Sequence, residues 1–385
     1  MRVASVRAAA VRDPTPLGRA SNPQADVEAA HMNPMVSAGS SRGAVAQFEP
    51  SWGEVACVVT LDDGTWGLGL TAHAGPVVPV INDYLGPLIE QEIVESVVDI
   101  GELWDLMSTV GAAHLGTGGV VSYAISAIDL ALFDALGRQR GVPVYQLLGG
   151  PAHDSIECYA TSSDLAKLAD LGFARFKIPC PWSVPGPAGI AAAVDAVEAA
   201  RSTIGNADLM VDGWAVMDTA HAAALCRALE SYDLRFVEDV VHPDDTDGYA
   251  TVRSVTGVRL AAGERWFGLH PFAHHAALGT VDVLQPDVQW VGGATATVRV
   301  AELARQHGLE LAIHCAVNDA FGQHLAFALA ENLVGEMYVG GAKALANSYR
   351  STPGMALPIE GRVVPVDAPG FGIEITLDGI EKASR

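Results

Sequence analysis

Apolar and polar positions change rhythm twice along the chain. Residues Glu54–Leu61 (EVACVVTL) are β-rich and stop at Asp62-Asp63-Gly64, a hairpin signal, so Thr65–Leu70 reads as the return strand. From Val77 to Val110 acidic and apolar positions interleave in a largely helical manner, with a break near Gly86-Pro87. Tyr123–Arg140 predicts a strong helix, because Ile125, Ile128, Leu132 and Leu136 recur at steps of three and four. Gly141-Val142-Pro143 stops it.

After Gly149-Gly150-Pro151 short β-rich runs alternate with Ala-rich helical stretches. The runs are Ser155–Ala160, Ala174–Ile178, Asp208–Asp212, Leu234–Glu238, Val258–Gly263, Val281–Pro286 and Leu309–His314. Helices are expected over Gly189–Ser202, Thr219–Ser231 and Ala294–His307. Repeated β-then-α units imply a parallel sheet with right-handed crossovers, and this many suit a closed barrel better than an open doubly wound sheet. From about Leu345 the chain turns Pro/Gly-rich, with short strands expected over Arg362–Val366 and Gly372–Thr376. That tail is expected to return to the first domain.

Composition narrows the partners. With 385 residues, half of them hydrophobic, a large core spread over two or three domains is affordable. The formal charge of −22 repels phosphate backbones, which argues against nucleic acid, yet a local metal can reverse the field inside a pocket. The first residues lack the unbroken apolar core of a signal peptide, and no run reaches the roughly eighteen apolar residues of a membrane helix. Five cysteines without CxxC pairing read as reduced core residues, so a cytoplasmic location is expected.

The candidate chemistry sits at strand ends. Asp212, Glu238, Glu264, Asp287 and His314 each close or follow an apolar run, and Lys177 ends another. In a barrel, strand C-termini share one mouth, so these residues converge. Positions 212, 238 and 264 are spaced by 26 residues each, one β/α unit. Three carboxylates in register repel one another unless a cation lies between them, and Mg²⁺ suits an all-oxygen site with open positions. Singly, each could merely cap the next helix or be solvated. His314 could be an ordinary buried histidine. One unit after Asp287, it could equally be a base whose tautomer that carboxylate fixes. Lys177 could be a rim lysine. His270 and His274 have i,i+4 spacing but belong to an expected outer helix, where surface or packing roles suffice. Gly67-Leu68-Gly69 lacks the rest of a dinucleotide fingerprint and is read as a turn.

Together these positions resemble the mandelate racemase branch of the enolase superfamily. The run Ala124–Asp134 (AISAIDLALFD), continuing through Gly137-Arg138 to Gly149-Gly150, is similar to that family's signature helix. Within the branch, Tyr159-Ala-Thr, Lys177-Ile-Pro179, Leu209–Trp214, Gln285-Pro-Asp-Val288 with Gly292-Gly293, and Pro369–Gly372 resemble L-rhamnonate dehydratases. The resemblance implies an α/β fold: a modified (β/α)7β barrel (149–344) under an α+β capping domain (1–148) completed by the tail (345–385). It implies one Mg²⁺ per subunit on Asp212, Glu238 and Glu264, a His314–Asp287 dyad, and a charge-sharing role for Lys177. Glu336 falls near a substrate-contacting acid at the end of the last barrel strand, and His31 and Arg42 resemble substrate contacts in a cap loop. A homo-oligomer, dimer to octamer, is also implied.

Many members of that family carry Lys-x-Lys on the second strand. Here Pro179 replaces the second lysine, which removes the usual base on one face and favours dehydration over racemisation. The implied reaction takes the C2 proton of an aldonate and eliminates its C3 hydroxyl. Two features depart from the dehydratase pattern: Arg265-Trp266 after the third carboxylate, and the stretch after His314. The alternatives are an epimerase or cycloisomerase, a non-catalytic sugar-acid-binding relative, and an aldolase using Lys177 as a Schiff base.

Overall fold

The computed structural model describes residues 1–17, 52–180, 186–215, 217–332, 334–339 and 352–385. The chain opens with an antiparallel sheet of β1 (Val3–Val11), β2 (Glu54–Leu61) and β3 (Trp66–Ala72), in that order. The β2–β3 turn forms where Asp62-Asp63-Gly64 predicts it, with Asp63 Oδ1 accepting from the Thr65 amide at 2.8 Å. β1 has no clean alternation in the sequence: it is Ala-rich, and a register shift between Val3 and Ser5 moves its buried positions off period two.

Two long helices follow: α2 (Val120–Arg140) packs on this sheet, and α1 (Val97–Leu115) packs against α2. A capping box starts α1: Ser96 Oγ accepts the Asp99 amide, and Asp99 Oδ2 accepts the Ser96 amide. α2 is long and apolar enough to cross a membrane by length and composition, but most of it is buried inside the protein. Its two buried carboxylates act as ties. Asp134 accepts the Leu68 and Phe371 amides, joining β3 and the C-terminal tail. Asp129 accepts the Thr295 amide and hydroxyl on the barrel.

Gly67 and Gly69 lie inside β3, not in a turn, and face α2. A Cβ on Gly69 would stand 1.9 Å from the Ala127 carbonyl oxygen, and one on Gly67 would stand 2.2 Å from that of Ala131. Because the obstacle is helix backbone, it cannot rotate away. Gly69→Ala is therefore expected to destabilise the protein by about 3 kcal/mol or more, at the upper end of overpacking costs. Denaturant unfolding checks this, and a midpoint close to that of the unsubstituted protein would sink it.

The larger layer is a parallel sheet: β4 (Ile156–Thr161), β5 (Arg175–Pro179), β6 (Asp208–Asp212), β7 (Phe236–Glu238), β8 (Leu260–Ala262), β9 (Val283–Leu284), β10 (Glu310–Leu311) and β11 (Gly335–Tyr338). β11 pairs with β4, and a bridge from Leu311 to Asn332 brings β10 to the segment entering β11, curling the sheet round on itself. Tyr159, Met210, Phe236, Ala261, Val283, Ala312 and Val334 fill the interior. The connecting helices are α3 (Leu165–Asp170), α4 (Pro187–Ile204), α5 (Thr219–Leu229), α6 (Thr246–Val255), α7 (His270–Leu278), α8 (Gly293–His307) and α9 (Ala320–Ala328). This is the expected (β/α)7β order. β4, β5 and β6 are as long as the apolar runs that predict them, whereas β7, β8, β9 and β10 pair over fewer residues than their runs.

The tail pairs Arg362–Val363 (β12) antiparallel to β4. No strand forms over the expected Gly372–Thr376. Instead Gly370 and Phe371 meet the end of α2, and a helix the sequence reading missed, α10 (Leu377–Ser384), accepts the Arg12 amide through Ala383.

Candidate functional site

Helix capping separates site carboxylates from structural ones. α5, α6 and α9 are capped by Asp218, Asp245 and Asp319, each accepting an amide of its helix's first turn. Asp212 and Glu238, at the ends of β6 and β7, therefore do not cap the helices that follow. α7 and α8 have no side-chain cap, so Glu264 and Asp287 are not caps either. Left-handed backbone follows several of these positions, at Trp214, Asp239 and Cys315 (φ 49°, 46° and 49°). Such conformations cost energy for residues other than glycine and gather where a chain is made to turn at a site.

Lys177 is fully buried, not a rim lysine. Its Nζ lies 2.7 Å from Glu238 Oε2, 2.7 Å from Glu336 Oε1 and 3.8 Å from Asp212 Oδ2. Burial works against its charge, but Glu238 and Glu336 outweigh that and hold its pKa well above the usual amine value. Glu336, on β11, also accepts from Thr161 Oγ1 at 2.5 Å and the Cys315 amide at 3.2 Å. Despite burial, Lys177 brings the Glu336 carboxyl down to about 2.

One ammonium cannot neutralise all its neighbours. Burial pushes Asp212 up, and pushes Glu238 up to about 8 even with Lys177 alongside. Glu238 Oε2 accepts from both Lys177 and Gln285 Nε2, while its buried Oε1 has no hydrogen-bond partner among the described residues. An orphaned carboxylate oxygen beside further acids fits a hard cation. Glu264 is handled differently. Arg265 bridges it at 3.1 Å and Asp239 at 2.5 Å, so Glu264 stays below the usual carboxylate range against the cost of burial.

On the opposite wall, His314 Nδ1 is 2.8 Å from Asp287 Oδ2, and Asp287 Oδ1 accepts the Gln289 amide at 2.8 Å. With Nδ1 held by Asp287, Nε2 is the ring nitrogen left to exchange a proton, 3.5 Å from Glu264 Oε2 and 3.4 Å from Cys315 Sγ. Burial opposes charge on His314, but Cys315, Glu264 and Asp287 outweigh it and hold the ring well above the usual imidazole range. Trp290 packs over this ring at 5.5 Å between centroids.

Asp212, Glu238, Glu264, Asp287, His314, Lys177 and Glu336 thus share one barrel mouth. His31 and Arg42 lie outside the described residues. His270 and His274 sit exposed on α7, their rings stacked 6.0 Å apart. Sequence reasoning did not find the roles of Asp239, Gln285, Thr161 and Cys315. Each is next to, or two residues from, a strand-end position, which was the only available signal. Arg265 departs from the dehydratase pattern in the sequence, but its bridging contacts depend on two strands meeting.

Residues 51–149 match the family description "Mandelate racemase / muconate lactonizing enzyme, N-terminal domain", and residues 161–379 match "Enolase C-terminal domain-like". The chain is 31% identical to an L-rhamnonate dehydratase of Saccharopolyspora erythraea over 332 residues, 84% of this chain and 83% of that relative. The fold superposes on the crystal structure of rhamnonate dehydratase from Gibberella zeae complexed with Mg, with a TM-score of 0.87 at 22% identity, covering 99% of this chain and 95% of that one. It also superposes on the 3,6-anhydro-D-galactonate cycloisomerase from Zobellia galactanivorans, with a TM-score of 0.73 at 27% identity, covering 86% and 94%.

Proposed function

This chain belongs to the mandelate racemase / muconate lactonizing enzyme family of the enolase superfamily, and from that premise we propose that it is a Mg²⁺-dependent dehydratase of an L-rhamnonate-like acid sugar. The observation that carries the reading is that, among the described residues, an oriented base stands on one wall only. His314 is oriented by Asp287, while position 179, two residues beyond Lys177 on the same strand face, is a proline with no proton to exchange. A racemase needs a base on each face; an elimination needs one.

Asp212, Glu238 and Glu264 are the residues that would hold Mg²⁺. When bound, the ion supplies positive charge that makes the α-proton of a coordinated carboxylate acidic enough for an imidazole. Lys177, buried among Glu238, Glu336 and Asp212, holds these carboxylates in place and adds positive charge beside them. As a charged, fully paired amine it is a poor Schiff-base nucleophile.

His314 Nε2 takes the C2 proton, and Asp287 stabilises the resulting imidazolium through Nδ1–H. The same nitrogen then returns a proton to the C3 hydroxyl. The C2–H and C3–O bonds break, C2=C3 forms, water leaves, and the enol becomes a 2-keto-3-deoxy acid. By the resemblance, His31 and Arg42 contact the substrate from the cap, with Glu336 nearby.

A panel of aldonic and aldaric acids, including L-rhamnonate, incubated with Mg²⁺ and assayed for 2-keto-3-deoxy products tests this. A ketone product is expected from at least one aldonate. C2 deuterium exchange without ketone would instead indicate an epimerase, a cyclised product a cycloisomerase, and binding without turnover a sugar-acid-binding relative.

A further inference from the structure

Cys315 takes no part in the reaction above, yet its sulfur lies at the barrel mouth. The other four cysteines are buried. Cys315 follows His314 in a left-handed backbone conformation (φ 49°), with Sγ 3.4 Å from His314 Nε2. A ring nitrogen of His314, Cys315 Sγ and a carboxylate oxygen of Glu336 all fall within 4.8 Å of one another. We propose that His314 Nε2, Cys315 Sγ and Glu336 form a binding site for a thiophilic divalent cation of the Zn²⁺ class, separate from the carboxylates assigned to Mg²⁺.

Three features support the assignment. First, tetrahedral zinc with Zn–S near 2.3 Å and Zn–N near 2.0–2.1 Å sets its sulfur and nitrogen ligands about 3.5 Å apart, close to the separation seen here. Second, Asp287 already bonds Nδ1, which leaves Nε2 as the donor in the carboxylate–histidine–metal arrangement that orients ligand histidines. Third, the donor set is N, S and O beside an all-oxygen set, so softness sorts the ions: Mg²⁺ avoids sulfur and Zn²⁺ seeks it. Burial keeps the Cys315 thiol protonated, so binding releases that proton to solvent, together with the Nε2 proton when the ring is charged.

The consequence for turnover rests on the dehydratase reading. An ion on Nε2 occupies the lone pair that takes the C2 proton, so micromolar Zn²⁺ would silence the enzyme in excess Mg²⁺. Binding itself needs no assumption about the reaction, and the test separates the two. The full-length, Mg²⁺-saturated protein is titrated with Cd²⁺ or Co²⁺ while thiolate-to-metal charge-transfer absorption is followed. One ion per chain is expected, displaced by Zn²⁺. Cys315→Ala and Cys315→Ser, each shown to be folded by thermal melting, should lose the band, and their Zn²⁺ affinity should fall by about 10-fold or more, at least the cost of losing an outer-shell partner. No band in the unsubstituted protein, or an unchanged band in both variants, would overturn the site. A band without inhibition would leave the site standing and count against His314 as the base.

Discussion

Replacing His314 with asparagine should abolish C2 proton exchange and dehydration together. The reason is geometric. Nε2 is the ring nitrogen that Asp287, holding Nδ1 at 2.8 Å, does not take, and the second-strand position that could carry an opposing base is Pro179. A positioned base or acid contributes about 10²–10⁴-fold, and one residue serving as both puts the combined loss at or beyond the upper end. Asparagine keeps a polar group of similar size, so the fold should survive. The measurement is NMR in D₂O with an accepted substrate, following C2 exchange and ketone formation in parallel. Exchange at near the unsubstituted rate would remove His314 as the base and turn attention to Lys177.

Chelation of the metal should be equally decisive. Asp212, Glu238, Asp239, Glu264, Asp287 and Glu336 crowd a mouth whose permanent cations, among the described residues, are Lys177 and Arg265. EDTA is expected to silence the enzyme, and Mg²⁺ to restore it. Asp212→Asn removes one anionic oxygen from the set and should lose turnover even in excess Mg²⁺. Thermal melting supplies a readout independent of activity. A ligand at a hundred times its dissociation constant stabilises a protein by about 2.7 kcal/mol, so Mg²⁺ should raise the melting temperature of the unsubstituted protein. Asp212→Asn should stay folded and lose that increase. Full activity in metal-free protein would end the metal reading.

The local rhythm of the chain was enough to place most elements. β2 and β6 occupy the residues their apolar runs indicated, and α2 starts three residues earlier than expected and ends at Arg140. Such features depend on neighbours a few residues apart: β-branched runs, Asp-Gly turns and three-to-four periodicity. β1 and α10 escaped because they owe more to partners than to pattern. β1 is an Ala-rich strand held by its ladder to β2, and α10 is a short tail helix whose Ala383 bonds the chain just after β1.

The site divides in the same way. That Asp212, Glu238, Glu264, Asp287 and His314 would converge was legible from strand ends at regular spacing, because parallel strands with helical crossovers must point the same way. What each side chain does there was not. Lys177 looked like an even choice between rim and site until the curled sheet set β5 beside β6 and β4 beside β11, which buries its ammonium against Glu238 and Glu336. Nor could spacing tell whether Asp212 and Glu238 cap the next helix; that needed Asp218 and Asp245 seen on the helices that follow them. Sequence sets which groups a strand delivers to the mouth. Charge balance, desolvation and hydrogen-bond pairing act across strands far apart in the chain, at distances of a few ångströms, and exist only once the barrel has folded.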